Sequence, residues 1–339
     1  MDTSLFHYDL PAEAIAQSAI EPRDAARLLV ANTLADRRFT DLPGLLDPGD
    51  LVVVNNTRVR PARVFATKET GGAVEVLLTK RIDDIRWEAL IRPARRIRPG
   101  TTMTTGSLLM TVKTEPDLGI VIVEVAVVGG AGDVDEILPE LGEIPLPPYF
   151  HGTLDDDERY QTMFARATGS AAAPTAALHF TPTVVEALYG RGVRIAEVEL
   201  DVGLDTFRPM ADGRISDHQM HRERYSVPSS TAGAIARAKE DGSRVVAVGT
   251  TVVRTLETAA DAEGVLEAGS ASTDLFITPG YRTRVVDAVV TNFHAPGTTL
   301  IVMIAALLGP RWRDVYDHAL GSGYRFLSFG DAMFIEVES

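Results

Sequence analysis

Residues 244–260 read RVVAVGTTVVRTLETAA. A short apolar run, Val245 to Val248, is bounded by a glycine and followed by apolar residues at helical spacing, so the stretch predicts a strand, a loop and a helix. The order recurs in RVVDAVVT (284–291), a loop, and TLIVMIAALLG (299–309). Earlier, Thr181 can cap a helix opened by Pro182 and closed near Gly190 and Gly192, after which VRIAEVEL (193–200) reads as a strand. Strands alternating with helices predict an α/β domain.

Between Gly72 and about Val128 the pattern changes. AVEVLLT (73–79), RWEALIR (86–92), SLLMTVK (107–113) and IVIVEVAV (120–127) are short β-rich runs separated by Asp, Pro and Gly clusters. Their spacing predicts a small antiparallel barrel or sandwich. The expected organisation is a discontinuous α/β domain, residues 1–64 plus 149–339, interrupted by an all-β domain over 65–148, with PLPPYF (145–150) as an extended return linker.

Two domains suit a chain of 339 residues, and 45% apolar content with dispersed charge marks an ordinary globular protein. Cysteine is absent, which removes disulfides, thiolate zinc sites and Cys nucleophiles. MDTSLFHYDL lacks the basic start and apolar run of a signal peptide, and the longest apolar run, Leu300 to Leu308, is short of the roughly twenty residues a membrane span needs. A cytoplasmic monomer with no membrane association is expected. A net charge of −14 argues against indiscriminate coating of nucleic acid, which requires many Lys and Arg contacts. One local exception stands out: Lys80 to Arg98 holds seven basic residues against three acidic ones, densest at Arg92, Arg95, Arg96 and Arg98. These four fit either phosphate contact or a charged strand edge that discourages pairing.

Ligands of open α/β sheets gather where strand ends lead into helix N-termini. At such junctions stand Thr250 and Thr251 with Arg254 one turn on, Asn292 and His294 in NFHAPGTT, and the cluster Asn55, Asn56, Thr57 and Arg58 after LVVV. GSAAAPTAALHF (169–180) adds small residues that allow close approach, with Thr175, His179 and Phe180. Each has a plainer reading as a helix cap, a capped turn or a satisfied buried histidine. His218 and His221, three apart beside Asp217 and Glu223, could hold a metal, relay a proton or occupy a surface. Without cysteine and without an H-E-x-x-H arrangement, no metal is expected.

Taken in order, NNTRVRPAR (55–63), GEIPLPPY (142–149), ERYQTMFA (158–165), GSAAAPTAALHF, VGLDTFRP (202–209), DHQMHRERY (217–225), VAVGTTVVRTLE (246–257), TNFHAPGTTL (291–300) and YRFLSFGDAMF (324–334) resemble the S-adenosylmethionine:tRNA ribosyltransferase-isomerase family of queuosine biosynthesis. The resemblance runs from YDLPAEAIAQ (8–17) to GDAMFIE (330–336). It implies an α/β domain interrupted by a β-barrel, and an enzyme with S-adenosylmethionine as substrate rather than cofactor. The ribosyl part would be transferred to 7-aminomethyl-7-deazaguanine at the tRNA wobble position and isomerised, giving epoxyqueuosine and releasing adenine and methionine. Proton removal next to the sulfonium needs a base, and departure of adenine needs a donor. Candidates for these roles are His179, His218, His221, His294 and Asp201. Asn55, Asn56, Thr57, Arg58, Thr175, Phe180 and Asn292 are candidate substrate contacts. Thr250, Thr251 and Arg254 would hold the methionine carboxylate and Asp331 its ammonium or a ribose hydroxyl, with Arg92, Arg95, Arg96 and Arg98 on the tRNA backbone.

The family pattern is not kept everywhere. Asp201 stands where histidine is usual, Asp205 and Ala177 replace glycines, Val252 and Arg222 replace serines, and the L-P-x-S-T loop is Ala295-Pro-Gly297-Thr-Thr. An aspartate accepts hydrogen bonds where an imidazole can also donate. Two rival readings therefore accompany the first: a related ribosyl transferase acting on a free deazapurine or other small acceptor, and a non-catalytic module that binds tRNA or nucleotide.

Overall fold

The computed structural model describes residues 1–130, 132–152, 154, 156–203 and 208–337. Before the insertion come β1 (Arg27–Val30), β2 (Ala35–Arg38), α1 (Leu42–Leu45), β3 (Leu51–Asn55) and β4 (Thr57–Val59). The β-rich stretch folds as β5 (Arg63–Lys68), β6 (Ala73–Arg81), β7 (Arg86–Arg92), β8 (Thr102–Thr105), β9 (Leu108–Val112) and β10 (Ile120–Val127), followed by α2 (Val134–Leu141). The remainder forms β11 (Ala167–Ser170), α3 (Pro182–Gly190), β12 (Arg194–Leu200), β13 (Glu223–Val227), α4 (Ser229–Glu240), β14 (Val245–Val248) and α5 (Thr250–Ala259). β15 (Gly269–Thr273), β16 (Ala288–Asn292), α6 (Thr299–Leu308), α7 (Trp312–Gly321) and β17 (Ala332–Glu336) complete it.

The chain divides into two compact units: Met1–Arg58, Pro147–Ala167 and Ala173–Ser339 form one, Val59–Leu146 with Thr168–Ala172 the other. The division falls a few residues from the boundaries read off the sequence. It also assigns Thr168–Ala172, a stretch of small residues with no run of its own, to the inserted unit.

In the larger unit nine strands form one sheet in the order β15-β13-β12-β3-β14-β16-β17-β1-β2. β12, β3, β14 and β16 are mutually parallel. Every residue of β3, β14 and β16 is buried, as expected of central parallel strands covered on both faces. β17 enters antiparallel to β16 and parallel to β1. The smaller unit is a closed six-stranded antiparallel barrel, β10-β7-β6-β5-β8-β9. Alternate residues of β9 and β10 are buried, the period-two pattern of a filled barrel. At one end the guanidinium groups of Arg60 and Arg81 lie over the buried Trp87 ring and pair with Asp135, and Arg81 also with Asp133. Both cations are thus neutralised within the inserted unit.

One buried acid locks the approach to β16. The carboxylate of Glu257, on α5, accepts hydrogen bonds from the backbone N–H groups of Arg284 (2.8 Å), Val285 (3.1 Å) and Val286 (3.0 Å) and from the Tyr281 hydroxyl (3.1 Å). A glutamine side chain in its place has one acceptor oxygen for four donors, so Glu257→Gln should cost about 2 kcal/mol. A urea midpoint unchanged from the parent protein would show that these bonds are replaced by water.

Candidate active site

At the carboxyl ends of β12, β14 and β16 the sheet opens into a cavity, the usual place for a ligand in an open α/β sheet. The turn from β14 into α5 passes through Gly249, whose φ of +90° disfavours any side chain. It delivers Thr250 and Thr251 to the wall. β16 delivers Thr291 and Asn292, and the loop beyond it His294. The small-residue segment contributes Pro174 and Thr175, and Tyr149 and Ser328 close the remaining side.

These groups are held by one another. The Asn292 side chain accepts from the Thr175 hydroxyl at 2.8 Å and donates to the Asp331 carbonyl at 3.4 Å. Thr291 Oγ1 and His294 Nε2 lie 2.9 Å apart, and the Tyr149 and Ser328 hydroxyls 2.5 Å apart. The His294 backbone donates to the Tyr316 hydroxyl (3.0 Å) and accepts from that of Tyr8 (2.5 Å), which fixes the loop. A second, smaller chamber shares Thr250, Thr251 and Leu300 with the first and includes Arg254 and Met220.

Of the sequence candidates, Thr175, Thr250, Thr251, Asn292 and His294 come together in the main cavity. His179 lies behind it, buried, with Asn292 Nδ2 3.3 Å from its Nε2. Phe180 packs into the core against Phe39 and Phe164. The Asn55 cluster is structural. Asn55 holds both backbone groups of Leu200, Thr57 also donates to Leu200, Asn56 donates to Glu197, and Arg58 pairs with Glu158. The Asp331 carboxylate, rather than facing a ligand, accepts from the backbone N–H groups of Arg27 and Arg325 at 2.9 and 2.8 Å. Arg254 is buried and ion-paired with Glu223, so its charge is met within the protein.

His218 is half-buried, with its ring 5.6 Å from that of Phe276, and His221 is exposed; neither lines the main cavity. Among the described residues no group of three or more His, Asp or Glu is arranged to hold a metal. Asp201, half-buried, follows the last residue of β12 and donates its backbone N–H to Arg224, while its neighbour Val202 lines the cavity. Ala177 is core, and Val252 is buried on α5. Asp205 lies outside the described residues. Sequence reasoning missed Tyr149 and Ser328. Both sit in the quoted motifs, but only the fold brings residues 179 positions apart into contact.

Burial dominates the titration of the site. It pushes His294 down to about 3 and His179 to about 4. Tyr149 is raised to about 12. At neutral pH the site is therefore lined by a neutral imidazole and neutral hydroxyls.

Comparison with known proteins bears on this cavity. Residues 3–335 match the family described as queuosine biosynthesis protein. Proteins named S-adenosylmethionine:tRNA ribosyltransferase-isomerase from Symbiobacterium thermophilum and Heliobacterium modesticaldum are each 48% identical, over 99% of this chain and all of theirs. One from Moorella thermoacetica is 48% identical over 97% of this chain and 98% of its own. The crystal structure of a Thermotoga maritima S-adenosylmethionine tRNA ribosyltransferase superposes with a TM-score of 0.54 at 35% identity, covering 97% of this chain and 99% of that one.

The lowered histidine values set a pH dependence. A group whose folded pKa lies below its unfolded value of 6.5 stabilises the fold fully above that value, and the contribution is lost as pH falls. The unfolding free energy should hold level above about 6.5 and fall toward pH 4. His179→Gln should flatten that decline in urea titrations from pH 8 to 4; parallel pH profiles for the two proteins would place His179 in a solvated setting.

Proposed function

Because the chain belongs to the queuosine biosynthesis protein family, we infer that it is an S-adenosylmethionine-dependent tRNA ribosyltransferase-isomerase. It transfers and isomerises the ribosyl moiety of S-adenosylmethionine onto 7-aminomethyl-7-deazaguanine at the tRNA wobble position, giving epoxyqueuosine-tRNA with adenine and methionine released. The full-length relationship carries this reading. S-adenosylmethionine is consumed as a substrate, and the main cavity is where its adenosyl part is received.

Of the four candidate histidines, His294 alone lines that cavity. Set against Thr291 at the cavity wall, it is assigned as the base for the proton next to the sulfonium. A neutral acceptor suits a cationic substrate, since an imidazolium there would repel it. Thr175, Asn292, Thr250 and Thr251 supply donors and acceptors for the purine and ribose. His179, whose Nε2 faces the Asn292 amide, acts only by holding that amide in place.

The tRNA is assigned to Arg92, the last residue of β7, and to Arg95, Arg96 and Arg98 just beyond it. All four are exposed, and none lies within ion-pair distance of a carboxylate among the described residues. Arg81 and Arg86 of the same basic stretch are instead paired with Asp133, Asp135 and Asp83. On a chain of net charge −14, four unpaired guanidinium groups close in sequence are a local site for phosphates.

The deciding experiment is adenine release from S-adenosylmethionine, with and without tRNA carrying 7-aminomethyl-7-deazaguanine. Release that requires this tRNA, with the matching mass gain on the RNA, is expected; release without tRNA would point to a small acceptor instead. His294→Gln should lower kcat by about a hundredfold or more while S-adenosylmethionine affinity changes little, and a kcat within a few-fold of the parent would remove His294 as the base. Replacing Arg95 and Arg96 together by Glu should weaken tRNA binding and reduce its log–log salt slope by about 2. An unchanged slope would remove those side chains from the RNA.

A further inference from the structure

His218 and His221 do not line the main cavity, yet the segment that carries them stands at its flank. Met220, between the two histidines, and Phe276 line the smaller chamber, which shares Thr250 and Thr251 with the main one. The half-buried rings of His218 and Phe276 meet edge to face, their centroids 5.6 Å apart and their planes at 66°. Burial, and then the neighbouring His221, lower the pKa of His218, so at pH 7 its ring is neutral. Arg222 and Arg224 flank the buried Glu223 at the start of β13, and alternate residues of an extended chain share a face, so both guanidinium groups stand on the exposed side. Among the described residues Arg224 forms no ion pair, and Arg222 meets only Asp274, at 3.3 Å, with the two side chains 75% and 60% exposed, a pairing worth little in water.

A polymer that sends one base into the main cavity has to lay the neighbouring nucleotides on the rim. In the loop of an RNA hairpin these nucleotides are unpaired, and unpaired nucleotides are held by stacking of bases on aromatic rings with cations on the phosphates. We propose that His218 and Phe276, with Arg222 and Arg224, form the surface that receives the unpaired nucleotides flanking the base under modification, the rings taking a base and the guanidinium groups the phosphates. The proposal rests on tRNA being the substrate, and it adds an RNA contact on the α/β unit to the arginines assigned at and beyond the end of β7. It also divides the labour within DHQMHRERY (217–225). Met220 and Glu223 serve the interior, one on the chamber wall and the other against Arg254, while His221, Arg222 and Arg224 are exposed.

The probes are a synthetic anticodon stem–loop carrying 7-aminomethyl-7-deazaguanine at the wobble position and the same RNA with an abasic residue at one or the other neighbouring position. Each is titrated by fluorescence anisotropy against the parent protein, His218→Leu, and Arg222→Gln combined with Arg224→Gln. One of the abasic RNAs should bind the parent protein about tenfold more weakly than the intact RNA. His218→Leu should lose a similar factor on the intact RNA and nothing further on that abasic RNA, because ring and base are the two halves of one contact. The arginine double variant should lower the log–log salt slope by about 1.4, as two phosphate contacts on a single strand require. S-adenosylmethionine affinity, by calorimetry, should be unchanged in both variants. Equal binding of all three RNAs, losses that multiply instead of overlapping, an unchanged salt slope or weakened S-adenosylmethionine would each overturn the surface. The exposed arginine pair carries the test if His218→Leu fails to fold. A parent protein that binds none of these RNAs while releasing adenine to a small acceptor would instead overturn the tRNA reading on which the surface depends.

Discussion

The amide of Asn292 is the constraint around which the site is arranged. The Asp331 carbonyl can only accept, so the side-chain nitrogen must point to it, and the oxygen is left for Thr175, whose hydroxyl has to donate. The same nitrogen lies 3.3 Å from His179 Nε2, which makes that nitrogen an acceptor and the ring neutral. One side chain at the end of β16 thereby joins the small-residue segment, the buried histidine and the segment leading into β17. The hydroxyl and amide groups facing the cavity are oriented before any ligand arrives, which is what an electrostatic site needs.

The α/β scaffold was legible because its central strands are uninterrupted apolar runs closed by glycine or a polar turn. The barrel was legible from its turns. What the residues could not announce is partnership over distance. Arg254 reads as a free cation at a helix start until Glu223, thirty-one positions away, is seen against it. His218 and His221 look like a pair because they are close in sequence, yet they lie outside the cavity, while His294 gains its place from hydroxyls on Thr291, Tyr8 and Tyr316. NNTR offered four polar side chains at a strand end. Asn55 and Thr57 are used on the backbone of Leu200 and Asn56 on the Glu197 side chain, both on β12, since a buried polar group must find a partner, while Arg58 pairs at the surface with Glu158.

Charge is distributed by the same logic. Arg60, Arg81 and Arg244 are each tied to aspartates of the fold. Asp50 shows how strongly: burial alone would raise its pKa, but Arg244 and the backbone N–H groups of Asp47 and Arg244 hold it below the ordinary carboxylate range. Against that background of consumed cations, the arginines after β7 differ in kind. Among the described residues they pair with no acid, and all of them are exposed.

The placement of β17 orders events in time. β1 and β2 reach the sheet only through β17, because β1 pairs with β17 on one side and with β2 on the other. At synthesis rates of roughly 5–20 residues per second, the hairpin made from residues 27–38 waits on the order of tens of seconds for residues 332–336 to be made. Until then β16 presents an open edge beside the forming cavity. β17 is therefore the strand that seals the sheet, and the segment just before it carries Ser328 and Asp331 into position as it does so.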